Sequence, residues 1–403
     1  MNSSPIRAVL VDVTDLETPK EEAQKRLAET ERLINTYGGI VVIKKIQKRA
    51  IPDYETYIGS GKLEEIIELA KQKKAELLIS NNILKPRQIF ALEEKLRPYK
   101  IKVWDRIDLI LKIFAKHAQS TEAKLQIELA SIRHMGPRIF GMGIELSQQT
   151  GAMGLRGGPG EANVEIMKRH LQKQELSIMK KLSHYEKIQE GQRNRRRRQH
   201  FKTASLVGYT NAGKSALLNA LTKKGAYVAD KLFATLDTRI GKLYIPSNSG
   251  KGQEILISDT IGFIQDLPPA LIQAFKSTLA ETIESDLILH VIDIADPEIH
   301  KKIKVVEEIL TNLKLQDKPK LYVFNKTDLI EPAKKQKLIR PNSILKAGKD
   351  TAEILGWSSK LKPKTSPTAL KTRYRKFSPV FVSAEKKENL ENLIGKIKEM
   401  TSR

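Results

Sequence analysis

The stretch GYTNAGKSALLNAL, Gly208–Leu221, decides how the chain is read. It satisfies G-x-x-x-x-G-K-[ST] at every fixed position, follows the strand-like run ASLV and opens a helical pattern. The motif requires that context. Gly208 and Gly213 let the backbone wrap closely, so that the loop Tyr209, Thr210, Asn211 and Ala212 aims its N–H groups at phosphate oxygens. Lys214 brings a positive charge to the β- and γ-phosphates, and the Ser215 hydroxyl reaches Mg²⁺, the expected cofactor. The N-terminus of the following helix adds its dipole. Two other glycine-rich loops invite the same question: YIGSGKLEE (Tyr57–Glu65) and GAMGLRGGPGE (Gly151–Glu161). Neither has the full spacing. For the first, a second nucleotide site, an RNA phosphate contact and a plain strand-to-helix turn all stay open.

Working outward, three later segments say which nucleotide is expected. DTIGF (Asp259–Phe263) follows the strand EILIS. Asp259 is placed to hold the outer Mg²⁺ shell, with Thr260 and Ile261 leading to Gly262, whose N–H can bond a γ-phosphate. NKTD (Asn325, Lys326, Thr327, Asp328) ends the strand LYVF. A carboxylate there accepts from N1–H and the exocyclic amine of guanine, and adenine has no donor at N1. Asn325 can bridge base and phosphate loop, and the Lys326 stem can pack on the ring. VSAEK supplies Ser383, Ala384 and Glu385, with the Ala384 N–H facing guanine O6. LFATLD contributes Phe233, Ala234, Thr235, Leu236 and Asp237. Thr235 is the expected second Mg²⁺ hydroxyl, with Thr238 as its rival. GTP is therefore expected, with Lys214, Thr235 and Gly262 at the reacting phosphate. Ras-like enzymes orient the attacking water with a glutamine after this glycine. Here the position is Phe263, so intrinsic hydrolysis is expected to be slow and to need a partner.

The order of patterns predicts an α/β chain. Strand and helix patterns alternate over residues 1–106, which implies a small parallel α/β domain. Residues 107–200 carry apolar stripes at helical spacing: Leu125, Leu129 and Ile132, then Val164, Met167, Leu171, Ile178, Leu182 and Tyr185. A narrow seam of this kind predicts a long antiparallel two-helix hairpin. GAMGLRGGPGE would be its tip and RNRRRR (Arg193, Arg195, Arg196, Arg197 and Arg198 its arginines) a solvated or anion-bound linker. Residues 201–403 return to alternation and predict a doubly wound P-loop domain, with a basic insertion over 331–377.

The 403 residues carry a formal net charge of +24 and no cysteine. Disulfides, thiolate metal sites and cysteine nucleophiles are excluded. The charge suits a polyanion, either nucleic acid or an anionic membrane surface. No stretch is long and apolar enough for a signal peptide or a membrane span, so a cytoplasmic location is expected.

GYTNAGKSALLNAL, LFATLD, DTIGF, NKTD and VSA resemble the HflX family of GTPases, and so do YIGSGKLEEI, EAKLQIELASIRHMGPRI and GAMGLRGGPGE outside the P-loop region. The resemblance implies a GTPase that binds the large ribosomal subunit, splits stalled or idle ribosomes, and hydrolyses GTP when the ribosome stimulates it. It implies that the N-terminal domain and hairpin lie against ribosomal RNA, with Arg156, Gly157 and Gly158 in the contact loop and a monomer away from the ribosome. A hydrophobic residue at Phe263 fits the family. The tip departs from the family's usual pattern by an extra glycine and by Ala162-Asn163, and the insertion is longer than usual. An additional C-terminal domain of some relatives is not expected. Ribosome assembly and a non-hydrolysing RNA scaffold are the rival readings.

Overall fold

The computed structural model describes residues 5–149, 159–199, 201–222, 239–246, 252–265, 276–330 and 367–402, with side chains outside 135, 137–149, 159–164 and 276–278. Among these residues one compact unit runs to Gly191 and a second begins at Gln192.

The first unit holds β1 (Ile6–Thr14), α1 (Lys20–Tyr37), β2 (Gly39–Lys48), α2 (Ser60–Gln72), β3 (Leu77–Ser80), α3 (Pro86–Leu96), β4 (Lys102–Trp104), α4 (Arg106–His117), α5 (Thr121–Gln149) and most of α6 (Pro159–Arg198). The four strands are parallel in the order β2-β1-β3-β4. β1 is apolar on both faces because helices cover both. Val9, Val11 and Val13 pack with Ile58, Leu63, Ile66 and Leu78. α1 buries Leu27, Leu33 and Ile34. It stops at Gly38, whose φ of 103° lets its N–H return to Ile34 and Asn35 carbonyls.

Arg106 ties three elements together. Its buried guanidinium donates to Thr30 Oγ1 at 2.6 Å and Asn81 Oδ1 at 3.0 Å, and meets Glu29 Oε2 at 3.0 Å. Asp105 caps α4 by accepting from the Asp108 N–H at 2.9 Å, and His134 of α5 stands 3.2 Å from the same carboxylate.

YIGSGKLEE has the geometry of a strand-to-helix turn. α2 already begins at Ser60, so Gly61 and Lys62 lie inside its first turn. The Gly59 N–H is given to Gln47 Oε1 at 2.9 Å, and Lys62 pairs with Glu65.

α5 and α6 run antiparallel. Gln189 donates to Glu122 at 2.6 Å and Arg133 to Glu175 at 2.8 Å, a descending order of partners. Between them Leu125, Leu129 and Ile178 form the seam, flanked by Ile132, Leu182 and Tyr185. The expected stripe extended further: Met167 is exposed, and the side chain of Val164 lies outside the described residues.

The second unit continues with β5 (Lys202–Val207), α7 (Lys214–Leu221), β6 (Arg239–Ile245), β7 (Gln253–Asp259), α8 (Lys276–Glu284), β8 (Leu287–Asp293), α9 (Ile299–Asn312), β9 (Lys320–Asn325), α10 (Pro367–Arg373), β10 (Val380–Phe381) and α11 (Leu390–Thr401). The sheet order is β10-β9-β8-β5-β7-β6, parallel except for β6 against β7. β5 lies between β7 and β8, so the chain winds to opposite sides from it. The crevice at the carboxyl ends of such strands is where ligands bind in this fold class.

Three features differ from the sequence reading. β6 was not foreseen, although RIGKLYI alternates: Leu243 and Ile245 are buried, Lys242 and Tyr244 exposed. The run RNRRRR is not a linker but the end of α6, a helix of 40 residues. Arginine is a good helix former, and carboxylates of α8 offset the crowding of like charge. The segment expected to be inserted ends sooner than 377. Residues 331–366 lie outside the described residues, but Pro367 and Leu370 are buried and Phe377 stacks on Tyr322 at 4.2 Å between ring centres.

Replacing Arg106 with leucine leaves Glu29 and Asn81 facing an apolar group. Urea unfolding of Arg106→Leu should show a loss of about 3 kcal/mol, the usual cost of breaking one side of a buried ion pair.

Candidate nucleotide-binding site

The loop between β5 and α7 has its shape imposed by its neighbours. Gly208 has φ 155°, and a Cβ there would lie 2.2 Å from the Val291 carbonyl oxygen of β8. Gly213 has φ 88°, and a Cβ there would lie 2.2 Å from Asn325 Nδ2. Only glycine tolerates both the dihedral and the contact. Exposed Asn211 also takes positive φ, 62°. The loop therefore curls over the start of α7 and turns backbone toward its own interior.

Lys214 is buried at that start. Its Nζ donates to the carbonyls of Gly208 at 3.2 Å and Tyr209 at 3.0 Å. Burial pushes its pKa down to about 8, against the pull of Asp259. An ammonium so placed is stabilised by an arriving anion.

The segment after β7 is fastened to this loop. Thr210 N–H donates to the Phe263 carbonyl at 2.8 Å and Phe263 N–H to the Gly208 carbonyl at 3.1 Å. The Gln265 N–H donates to the Tyr209 hydroxyl at 2.8 Å, and Thr260 Oγ1 to the Leu206 carbonyl at 2.7 Å. Ile261 is buried beside them. Gly262 sits where a Cβ would come within 2.8 Å of Thr210 Cγ2 and 3.1 Å of Lys214 Nζ. Phe263 is fully buried, so the position that holds glutamine in Ras-like enzymes faces the core here. Ser215 Oγ donates to Asp259 Oδ2 at 2.6 Å. A hydroxyl and a carboxylate in contact are an all-oxygen donor pair, which suits Mg²⁺ and not a softer metal.

The other end of the crevice is organised by Asn325. Its Nδ2 donates to the Ala212 carbonyl at 3.0 Å and its Oδ1 accepts from the Ala384 N–H at 3.0 Å. One buried amide thus joins the phosphate loop to the loop after β10. Lys326 adopts φ 65° and its Nζ meets Asp293 Oδ2 at 2.8 Å. Thr327 is buried, with its N–H on the Val382 carbonyl at 3.2 Å. Half-buried Asp328 accepts from Ser383 Oγ at 2.5 Å. Glu385 is exposed.

Gly208 to Ser215, Asp259 to Phe263, Asn325 to Asp328 and Ser383 to Glu385 thus converge in one unit. Phe233, Ala234, Thr235, Leu236 and Asp237, and the rival Thr238, lie outside the described residues. So do Arg156, Gly157 and Gly158. Arg195 and Arg198 are exposed, whereas Arg193, Arg196 and Arg197 pair with carboxylates. Sequence reasoning missed three participants: the Tyr209 hydroxyl, Asp293 as the anchor of Lys326, and the Val291 carbonyl behind Gly208. Only the first carries a functional group within a motif. The others are brought in by β8, and no local pattern announces them.

A doubly wound sheet with this loop, the Ser215–Asp259 pair and the Asn325 bridge defines a P-loop domain of the GTPase class. Residues 203–326 match the family described as 50S ribosome-binding GTPase, residues 24–115 the GTP-binding GTPase N-terminal family, and residues 117–196 the GTP-binding GTPase middle region. The chain is 45% identical over 325 residues to the GTPase HflX of Caldanaerobacter subterraneus subsp. tengcongensis, covering 81% of this chain and 73% of that one. It is 39% identical to the Escherichia coli GTPase HflX, covering 77% and 71%, and 40% identical to that of Methanocaldococcus jannaschii, covering 79% and 74%. The chain belongs to the HflX family of GTPases.

The buried ammonium sets a pH dependence. Between about pH 8 and the ordinary lysine value of 10.5, the unfolded chain keeps a proton that the folded chain has released. Stability from this site therefore rises with pH through that window and is lowest below it. Nucleotide-free Lys214→Met should gain stability over the unsubstituted protein at pH 7. That gain should shrink as pH rises from 8 to 10, in urea midpoints measured side by side.

Proposed function

We propose that this chain is a GTP hydrolase that, in its GTP state, binds the large ribosomal subunit and dissociates stalled or idle ribosomes, with hydrolysis as the release switch. The observation that carries the reading is the Asn325 bridge beside the Lys214, Ser215 and Asp259 group, found in a chain of the HflX family. Asp328, at the far side of that bridge, reads the N1–H and amine of guanine, while Lys326 covers the ring. Ala384 already gives its N–H to Asn325, so guanine O6 shares that donor. Ser215 and Thr235 hold Mg²⁺ directly and Asp259 holds its water shell. The ion supplies charge neutralisation between the phosphates. Lys214 and the Gly262 N–H hold the γ-phosphate.

Buried Phe263 presents nothing to a water molecule, so hydrolysis is slow until the ribosome supplies or repositions the missing group. The net charge of +24 suits ribosomal RNA. The tip with Arg156, Gly157 and Gly158 and the outward Arg195 and Arg198 are the proposed RNA contacts. The protein acts as a cytoplasmic monomer when off the ribosome. Among the described residues no helix is long and apolar enough to cross a membrane.

Base selection is tested by Asp328→Asn, which turns an acceptor into a donor at the base. GDP affinity should fall about 100-fold, the worth of a charged pair of hydrogen bonds. Xanthosine diphosphate, with a carbonyl in place of the amine, should bind better than GDP. An unchanged preference for guanine in titration calorimetry removes Asp328 from base reading.

Ribosome action is tested by sedimentation with Mg²⁺ and a non-hydrolysable GTP analogue. The protein should migrate with large subunits, intact ribosomes should be depleted, and Lys214→Ala should do neither. Binding to immature large subunits without loss of intact ribosomes would favour an assembly role.

A further inference from the structure

The arginine run at the end of α6 holds α8, the helix that follows the Asp259–Gln265 segment in the chain. Arg196 Nη2 meets Glu281 Oε1 at 2.6 Å, Arg193 Nε meets Glu284 Oε1 at 2.9 Å, and Arg197 Nη2 meets Glu284 Oε2 at 3.1 Å. Arg196 and Glu281 are each at least four-fifths buried, so their pair is screened less than the Arg197–Glu284 pair, whose arginine is exposed.

α8 is tied on its other side to the strand that feeds the phosphate loop. Thr282 is fully buried and its hydroxyl lies 2.8 Å from Ser205 Oγ of β5. Upstream, the segment is tied to that same loop by the exchanged Gly208, Thr210 and Phe263 backbone bonds and by Gln265 on Tyr209. Residues 259–265 are thus held by the phosphate loop, and Glu281 and Glu284 of α8 by the end of α6. A cavity of about 230 Å³, lined by Arg193, Arg196, Arg197, Phe201, Thr203 and Glu284, lies at the clamp.

The geometry points to Arg193, Arg196 and Arg197 as positioning residues for GTP hydrolysis. Through Glu281 and Glu284 they fix α8, and through the Thr282–Ser205 contact of α8 with β5 they set where the phosphate loop, and the Gly262–Phe263 turn bonded to it, stand against the γ-phosphate. A displacement of α6 is thereby felt at the reacting phosphate, and the nucleotide state is felt at the end of α6. The inference rests on the hydrolase reading given above, but not on ribosome splitting.

The Arg196–Glu281 pair isolates the effect, because neither residue touches the nucleotide loop. Arg196→Glu and Glu281→Arg should each lower the single-turnover rate at least about fivefold, within the range of coupling energies such contacts carry. GDP affinity should stay within about twofold, since the substitutions leave the binding groups in place. The double exchange should restore most of the rate. Arg196→Gln serves where charge reversal impairs folding. In the same preparations, amide exchange at the end of α6 should differ between GDP and a non-hydrolysable GTP analogue, and the difference should vanish in Arg196→Gln. Unchanged rates in the single variants, no recovery in a folded double variant, or α6 exchange indifferent to nucleotide in the unsubstituted protein would each overturn the proposal. A chain that exchanges as expected but turns over no GTP would instead sink the hydrolase reading.

Discussion

The ammonium of Lys214 lies where water is excluded, with two backbone carbonyls for partners. That arrangement is costly in isolation, as the fall of its pKa to about 8 registers. The surrounding structure keeps the charge there regardless. Gly208 must be glycine so that β8 can close behind the loop, and Gly213 so that Asn325 can close in front of it. Both closures hold the loop around a buried ammonium. An anion bound there would offset the cost.

The arrangement is economical in side chains. Two backbone bonds and the Tyr209 hydroxyl fasten the Asp259–Gln265 segment to the phosphate loop, so each holds the other in place. Asn325 does the same for the loop after β10. The two ends of the crevice are therefore joined through one amide. Asp328 is held by Ser383 from across that loop, which fixes the orientation of its carboxylate. Preorganised groups of this kind lose little entropy on binding.

Much of this was legible in the sequence, because a phosphate loop is a local object. Strand, glycines, lysine and helix are contiguous, and their spacing is dictated by the backbone they must form. NKTD and DTIGF are likewise short runs at strand ends. What could not be read was contact made across the sheet. The Val291 carbonyl and Asp293 belong to β8, and their relation to Gly208 and Lys326 exists only once the strand order is known. β6 escaped for another reason. It is an antiparallel edge strand whose alternation includes a glycine and charged residues, so it resembles a loop in composition. The apolar seam of α5 and α6 was visible by period, but its extent was not, since period does not say where a partner ends.

The arginine run shows the limit most clearly. By composition a cluster of arginines is a phosphate-binding tract or a solvated spacer, and both readings treat its charge as unpaired. The carboxylates that meet it lie on α8, 85 residues away along the chain for the Arg196–Glu281 pair. Once paired, the charges no longer repel and the helix continues through them to Arg198. Arg195 and Arg198 stay outside the pairing and exposed, on the same turns as the clamped residues. One short tract therefore presents charge to solvent on one side and grips α8 on the other. A net charge counted over the sequence cannot separate these two uses, because the distinction lies in the direction each side chain takes from a helix of fixed period.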